Sequence, residues 1–360
     1  MILYDFSSAI HRSMHTAIKH TNPHKINGKY KTDEFISVLI YRVISEFIEF
    51  YSKYKKEYGD FVICLDDHSK PYWRKSIYYN YKGNRKKNRE ESEINYDEVF
   101  KHLDVLTSTL KKFTDFKVIG VPGVEADDII GLLTRRYAKF EKVLILSPDK
   151  DFKQLHSLGQ IRQYSSLTNS WVVPEDIEGW KLEHILCGDS ADCVPRVVDF
   201  LEFTIEFKMF LDEFKYDLNE LQWFELPESE KSAIHSLAEE FLEDVQTHEH
   251  PRFGMSFVKK YIKEFGSLDA WLDSNPILRK TFEMNRKLVI DDYVPPKIEA
   301  EILSAYSELK NRINLNKLKV YFDFYDLSGS CLPLFKNLHQ TSENLADWTA
   351  SKVDFSNAIL

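Results

Sequence analysis

"KVIGVPGVEADDII", residues 117–130, holds a strand, a turn and the start of a helix in one short run. Val118, Ile119 and Val121 make an apolar stretch that Pro122-Gly123 interrupts. Glu125, Asp127 and Asp128 follow, and then Ile129, Ile130, Leu132 and Leu133 fall at helical spacing. Carboxylates favour the positive end of a helix dipole, so an acidic first turn costs the helix little. It also aims several oxygens at one place while the apolar face behind fixes the turn on a sheet.

The same device recurs on either side. "ILYDF" (2–6), "FVICLDD" (61–67) and "KVLILSPDKD" (142–151) are short apolar runs that end in acids. Between them, residues 33–54, 96–113 and 125–138 carry apolar stripes at helical period. Strands alternating with helices predict an α/β fold with a mostly parallel central sheet and helices on both faces. Such sheets place their sites beyond the carboxyl ends of the strands, where Asp5, Asp66, Asp149 and Asp151 fall. Residues 180–186 read as a short helix, and the pattern stays helical to about 310, punctuated by Pro195, Pro227, Pro251 and Pro295-Pro296. "KLKVYFDFYDL" (317–327) reads as a late strand or extended segment, and the last twenty residues as a loose tail. The expected organisation is an α/β domain over 1–190 with a basic arch at 68–95, a helical region over 191–310 with an acidic insert at 204–250, and a C-terminal segment over 311–360.

With 360 residues, 43% hydrophobic and 29% charged, the chain suits a globular protein with a sizeable core. It has no continuous apolar run long enough to span a membrane. "MILYDFSSAI" is too short and too acidic for a secretory signal. Cys64, Cys187, Cys193 and Cys331 form no CxxC pair, which argues against a disulfide framework or zinc knuckle and for a reducing compartment. The net charge of -9 conceals a division. Residues 211–250 hold twelve acids and two lysines, a balance of -10, so the remainder comes to +1. Residues 68–89 hold eight Lys or Arg and no acid.

Several acids converging at one sheet edge need cations. Two carboxylates ~5 Å apart repel by roughly 3 kcal/mol at an effective dielectric of ~20. All-oxygen ligands favour magnesium or manganese over zinc. Asp is also a common turn and cap residue, and Asp149 or Asp151 read alone caps "DFKQLHSL" equally well. Two carboxylate-held metals suit phosphodiester hydrolysis. "PYWRKSIYYNYKGNRKKNREES" (71–92) then offers a polyanion what it needs: cations for phosphates and rings for unpaired bases. Being polar and without a long apolar stripe, residues 68–95 are expected to be mobile without DNA.

The spacing of "YDFS", "CLDDHSKPYWR", "YYNYKGNRKKNREES", "VEADDIIG", "SPDKDFKQLH" and "ILCGDSADCVP" resembles the flap endonuclease, or 5′ nuclease, superfamily, and most nearly its bacteriophage members. The resemblance covers roughly 1–200 and, more weakly, 250–330. It implies a PIN-like fold with a helical duplex-binding region. It implies a 5′-3′ exonuclease and flap endonuclease with RNase H activity, using two Mg2+ ions for which Mn2+ substitutes. Branched, flapped or nicked DNA and RNA–DNA duplexes are the implied substrates, in lagging-strand replication in the cytoplasm of an infected bacterium. The implied protein is a monomer assisted by a single-strand-binding protein and a sliding clamp.

Carried over by position, Asp5, Asp66, Glu125, Asp127 and Asp128 resemble the first metal group, and Asp149, Asp151, Asp189 and Asp192 the second. Lys82 and Arg85 resemble cations that neutralise the scissile phosphate. Tyr72, Arg74, Lys75, Tyr81, Lys86, Lys87 and Arg89 are the accompanying nucleic-acid contacts, with Lys259 and Lys260 on a displaced duplex-binding helix. The chain departs from the family pattern at "RVVDFLEF", where a glycine-rich, potassium-binding hairpin is usual, in the acidic insert, and in how near Asp5 lies to the N-terminus. Two other functions remain open. A non-catalytic binder of branched DNA would have an incomplete acid set. A phosphatase with a nucleophilic Asp would want DxD on the first strand, which "YDFS" lacks.

Overall fold

The computed structural model describes residues 1–199, 210–212, 214–216, 218, 220–242, 254–308 and 311–338. Part of the acidic insert and all of the expected tail lie outside the described residues. The chain divides into two compact units. One comprises Met1–Lys70, Lys87–Pro174 and the chain from Val294 on, and the other Pro71–Lys86 and Glu175–Tyr293. No described helix is long and apolar enough to cross a membrane.

The first unit is built on a six-stranded sheet. Its strands are β1 (Ile2–Asp5), β4 (Phe61–Cys64), β5 (Lys117–Ile119), β6 (Val143–Leu146), β7 (Ile161–Ser165) and β8 (Ser170–Val172), while β2 (Lys25–Ile26) and β3 (Lys29–Tyr30) form a separate hairpin. The order is β5-β4-β1-β6-β7-β8. All neighbours are parallel except β7 and β8. Strands buried on both faces read as continuous apolar runs, and successive side chains go to opposite faces. Ile2, Tyr4, Phe61, Ile63, Leu144 and Leu146 accordingly pack on one side with Leu39, Val43, Phe47 and Leu106 of the helices Ile36–Tyr58 and Tyr96–Phe113. Met1, Leu3, Val62, Cys64, Val143 and Ile145 pack on the other side with Ile129, Ile130 and Leu133 of Ala126–Tyr137 and Ile302 of Pro296–Ser307. The sequence-based sheet is therefore present, with the β7–β8 hairpin added to it.

Residues 317–327 do not form the expected strand. Leu315–Phe324 is a helix. Its start is capped by Asn314, whose Oδ1 accepts the Lys317 N–H at 3.1 Å. Leu318, Tyr321, Phe322 and Tyr325 are buried in the first cluster at helical spacing. The aromatic content imitates a strand, but the buried positions recur with the helical period.

The second unit is mainly helical, with Ile177–Cys187, Glu220–Glu225, Glu228–Leu242, Met255–Phe265, Leu268–Asp273 and Pro276–Val289. Gly188 ends the first of these with a φ of +66°. A Cβ there would lie 2.4 Å from the carbonyl oxygens of both Val194 and Pro195, so no side chain fits. Asn285, fully buried, ties this loop down. Its Nδ2 donates to the carbonyls of Ile185 at 2.9 Å and Pro195 at 2.6 Å.

Candidate active site

Parallel register brings the ends of four strands level. Asp5 pairs with Cys64, Cys64 with Ile119, and Tyr4 with Leu146. Asp66, Glu125 and Ser147 stand in the segments that leave those ends. Asp5 is 4% exposed. Its Oδ1 accepts the Ser8 N–H at 3.1 Å, and its Oδ2 accepts the hydroxyls of Ser8 and Ser147, each at 2.6 Å. Burial pushes the Asp5 carboxyl above its ordinary range, the serine hydrogen bonds pull it back, and the Asp66 charge pushes it up again.

Asp66 is half-buried. Its Oδ1 accepts the Ala126 N–H at 2.7 Å, which caps the acid-rich helix of residues 126–137. Burial, then the charges of Asp5 and Asp127, push the Cys64 thiol well above its ordinary value, which leaves it unreactive. Asp66 thus acts on Asp5, and Asp5 and Asp127 both act on Cys64 at this strand end. Glu125 and Asp128 lie deeper, at 2% and 1% exposure, and Asp128 Oδ2 accepts the Glu125 N–H at 3.2 Å. That contact fixes the first turn.

Asp149 and Asp151 occupy the turn after β6. Asp149 caps the 3-10 segment Lys150–Leu158, its Oδ1 accepting the Asp151 N–H at 2.9 Å. The capping role read for Asp149 alone is thus present. It does not consume the acid, because a carboxylate has further lone pairs. Ser147 joins the two halves: it donates to Asp5 and accepts the Asp149 N–H at 3.1 Å. Gln163 of β7 holds the turn from below, donating to the carbonyls of Ser147 at 3.0 Å and Asp149 at 2.5 Å. Sequence reasoning assigned no role to Ser8, Ser147 or Gln163. The available signal for Ser147 is its place one residue past β6, level with Asp5.

The other candidates belong to the second unit or to the basic segment. Asp189 Oδ1 accepts the Ala191 N–H at 2.8 Å, and its Oδ2 lies 3.7 Å from His184 Nε2. Asp192 is engaged by Lys82 and Arg85, at 3.4 and 3.1 Å. Three expected nucleic-acid contacts are buried instead. Tyr72 and Tyr81, at 8% and 3% exposure, pack with Ile185, Val194 and Leu288, so their rings are not offered to bases. Arg74, at 3% exposure, lies 3.6 Å from Asp291 and over the Trp73 ring. A buried guanidinium needs such an anion, and this one is structural. Several of the segment's aromatics therefore build a core rather than a surface for bases. Lys75 is half-buried and Arg89 lies over the Phe100 ring. Lys86, Lys87, Lys259 and Lys260 are exposed.

Residues 1–178 match the family described as 5′-3′ exonuclease, N-terminal resolvase-like domain. Residues 1–178 are a domain of that nuclease family. Among curated relatives of this nuclease, ribonuclease H of Enterobacteria phage T4 is 27% identical over 256 residues, covering 70% of the chain and 71% of the phage protein. A 5′-3′ exonuclease of Buchnera aphidicola (Schizaphis graminum) is 34% identical over 145 residues, covering 38% of the chain and 47% of that protein. The chain thus spans about half the length of the bacterial relative. The zinc-bound T5 5′-exonuclease aligns over 90% of this chain and 97% of its own with a TM-score of 0.46 at 14% identity.

Proposed function

We propose that this nuclease is a divalent-metal-dependent 5′-3′ exonuclease and flap endonuclease that hydrolyses phosphodiester bonds in RNA–DNA and DNA–DNA duplexes. The observation that carries this reading is the convergence of Asp5, Asp66 and Asp127 at one end of the parallel sheet, with Ser147 linking Asp5 to the Asp149 turn. The donor set is all oxygen, and the Asp66 charge lies close enough to push the Asp5 carboxyl up. Such a set fits Mg2+, with Mn2+ as substitute. Asp5, Asp66 and Asp127 are the proposed ligands, and Asp149 and Asp151 the acids of a second group. Glu125 and Asp128 stiffen the turn behind them. Bound there, the ions supply an activated water and charge neutralisation at the departing oxygen.

The chain's own part is to orient. Ser8 and Ser147 donate to Asp5 and so fix its oxygens. The Ala126 N–H does the same for Asp66. Lys82 and Arg85 are the proposed cations for the substrate phosphate, and Lys86, Lys87, Lys259 and Lys260 the exposed cations for flanking backbone. The proposed organisation is a nuclease region over 1–190, a duplex-binding region over 191–310 and a C-terminal segment beyond. The proposed setting is primer and flap removal in the cytoplasm of an infected bacterium, by a monomer assisted by a single-strand-binding protein and a clamp.

A 5′-labelled flap and a nicked duplex, with Mg2+ titrated in, test the reading. Release of the flap and of short 5′ products, dependent on Mg2+, is expected. Intact substrate at saturating Mg2+ and Mn2+ overturns it.

A further inference from the structure

Within the second unit, Asp192 is gripped by groups from the basic segment. Arg85 Nη2 donates to its Oδ1 at 3.1 Å. The Lys82 ammonium stands 3.4 Å from its Oδ2, and the Tyr81 hydroxyl donates to the same oxygen at 3.4 Å. The backbone is tied as well, because the Lys82 N–H donates to the Asp192 carbonyl at 2.8 Å. Lys82 has a φ of +55°, in the left-handed region that a residue with a side chain adopts only at a cost. The tie therefore holds a strained residue in place. The Lys82 side chain is 6% exposed, and its ammonium lies 5.2 and 5.7 Å from the Tyr81 and Tyr72 ring centres.

An anion with two oxygens set between a guanidinium and an ammonium is what a phosphodiester becomes when such cations bind it. We infer that Asp192 is an internal stand-in for the substrate phosphate. In the DNA-free protein it neutralises Lys82 and Arg85, and an arriving phosphate must take those cations from it. The inference rests on the proposed reading of Lys82 and Arg85 as phosphate-facing groups. Its physical basis is the burial of Lys82. A nearly buried ammonium needs an anion beside it in every state. The carboxylate supplies that anion before binding and the phosphate supplies it afterwards, so the charge at Lys82 stays balanced. The device also makes the segment selective. A backbone that reaches only one of the two cations gains one contact and still faces the carboxylate, whereas one that reaches both displaces it.

Fluorescence anisotropy with a 5′-phosphorylated flap, in EDTA so that no metal contributes, tests this on the full chain. Asp192→Asn is expected to bind about threefold to tenfold more tightly than wild type. The gain is expected to vanish when the same change is made in a Lys82→Ala/Arg85→Ala background. Asp192→Glu, which keeps the charge, is expected to stay near wild type. Unchanged or weaker binding by Asp192→Asn overturns the inference, as does a gain that persists without the two cations. A readout on the wild-type chain stands even if a variant folds poorly. The carboxyl 13C resonance of Asp192 is expected to shift when a 5′-phosphorylated oligonucleotide saturates the protein in EDTA, and a resonance that does not move overturns the inference. Wild type that neither binds nor cuts flap DNA removes the functional reading itself. Wild type that cuts, with an Asp192→Asn variant of unchanged affinity, removes only the stand-in.

Discussion

The hydroxyl of Ser147 donates to Asp5 at 2.6 Å across two adjacent parallel strands. It therefore couples the acid that ends β1 to the acid-bearing turn that follows β6. Removing the hydroxyl leaves Asp5 with the two Ser8 donors and loosens its orientation. Residues that orient metal ligands typically matter by about 10- to 100-fold. Ser147→Ala is expected to lower flap cleavage by about that factor and to raise the Mg2+ concentration needed for half-maximal rate. Cleavage assayed across a Mg2+ series checks this, and wild-type behaviour of Ser147→Ala contradicts it.

Asp127→Asn is expected to abolish cleavage while leaving flap binding largely intact. It also removes a carboxylate charge from the same strand end as Asp5. In EDTA the variant should melt at or above the wild-type temperature. Mg2+ stabilises whatever native state binds it. Adding Mg2+ should therefore raise the melting temperature of wild type by more than that of the variant. Melting curves in EDTA and in Mg2+ decide the matter.

His102 gives a pH dependence separate from the site. It is buried, its Nδ1 lies 2.8 Å from the Tyr325 hydroxyl, and burial lowers its pKa below the ordinary value. A folded-state value below the unfolded value of about 6.5 means that the unfolded chain takes the proton first. The stability that the neutral ring contributes is complete above about pH 6.5 and declines as the pH falls from there toward the lower folded-state value. His156 is shifted the same way by burial and adds to the trend. Denaturant midpoints at pH 7.5 and 5.5 are expected to differ, and His102→Gln to narrow the difference.

Asn285 holds the loop after residues 177–187 through two carbonyls. Removing a donor from a buried acceptor costs about 1–3 kcal/mol. Asn285→Ala is expected to destabilise the second unit by about that amount, and denaturant unfolding followed by Trp fluorescence measures it.

The acids were legible because a parallel strand is a continuous apolar run that stops where the chain leaves the sheet. An Asp at that stop must face the sheet edge. Asp5, Asp66 and Asp149 follow that rule, whereas Asp127 stands in the first turn of the helix Ala126–Tyr137. The hydrogen-bond partners were less legible, because a serine one residue beyond a strand looks like any turn serine until the register of β1 against β6 is known. The role of Tyr72, Tyr81 and Arg74 was misread for a related reason. Interleaved rings and cations suit both a nucleic-acid surface and a small aromatic core, and only burial against Ile185, Val194 and Leu288 separates the two. The helix over Leu315–Phe324 was hidden by its aromatic composition, although Leu318, Tyr321, Phe322 and Tyr325 already carried the helical period.

The account turns on whether the acids at the sheet edge hold a divalent ion. Titrating Mn2+ into the protein and following free Mn2+ by electron paramagnetic resonance tests that most directly. Saturable binding by wild type, sharply weakened in Asp66→Asn and competed away by Mg2+, is the predicted result. No binding by wild type, or equal binding by Asp66→Asn, would contradict it.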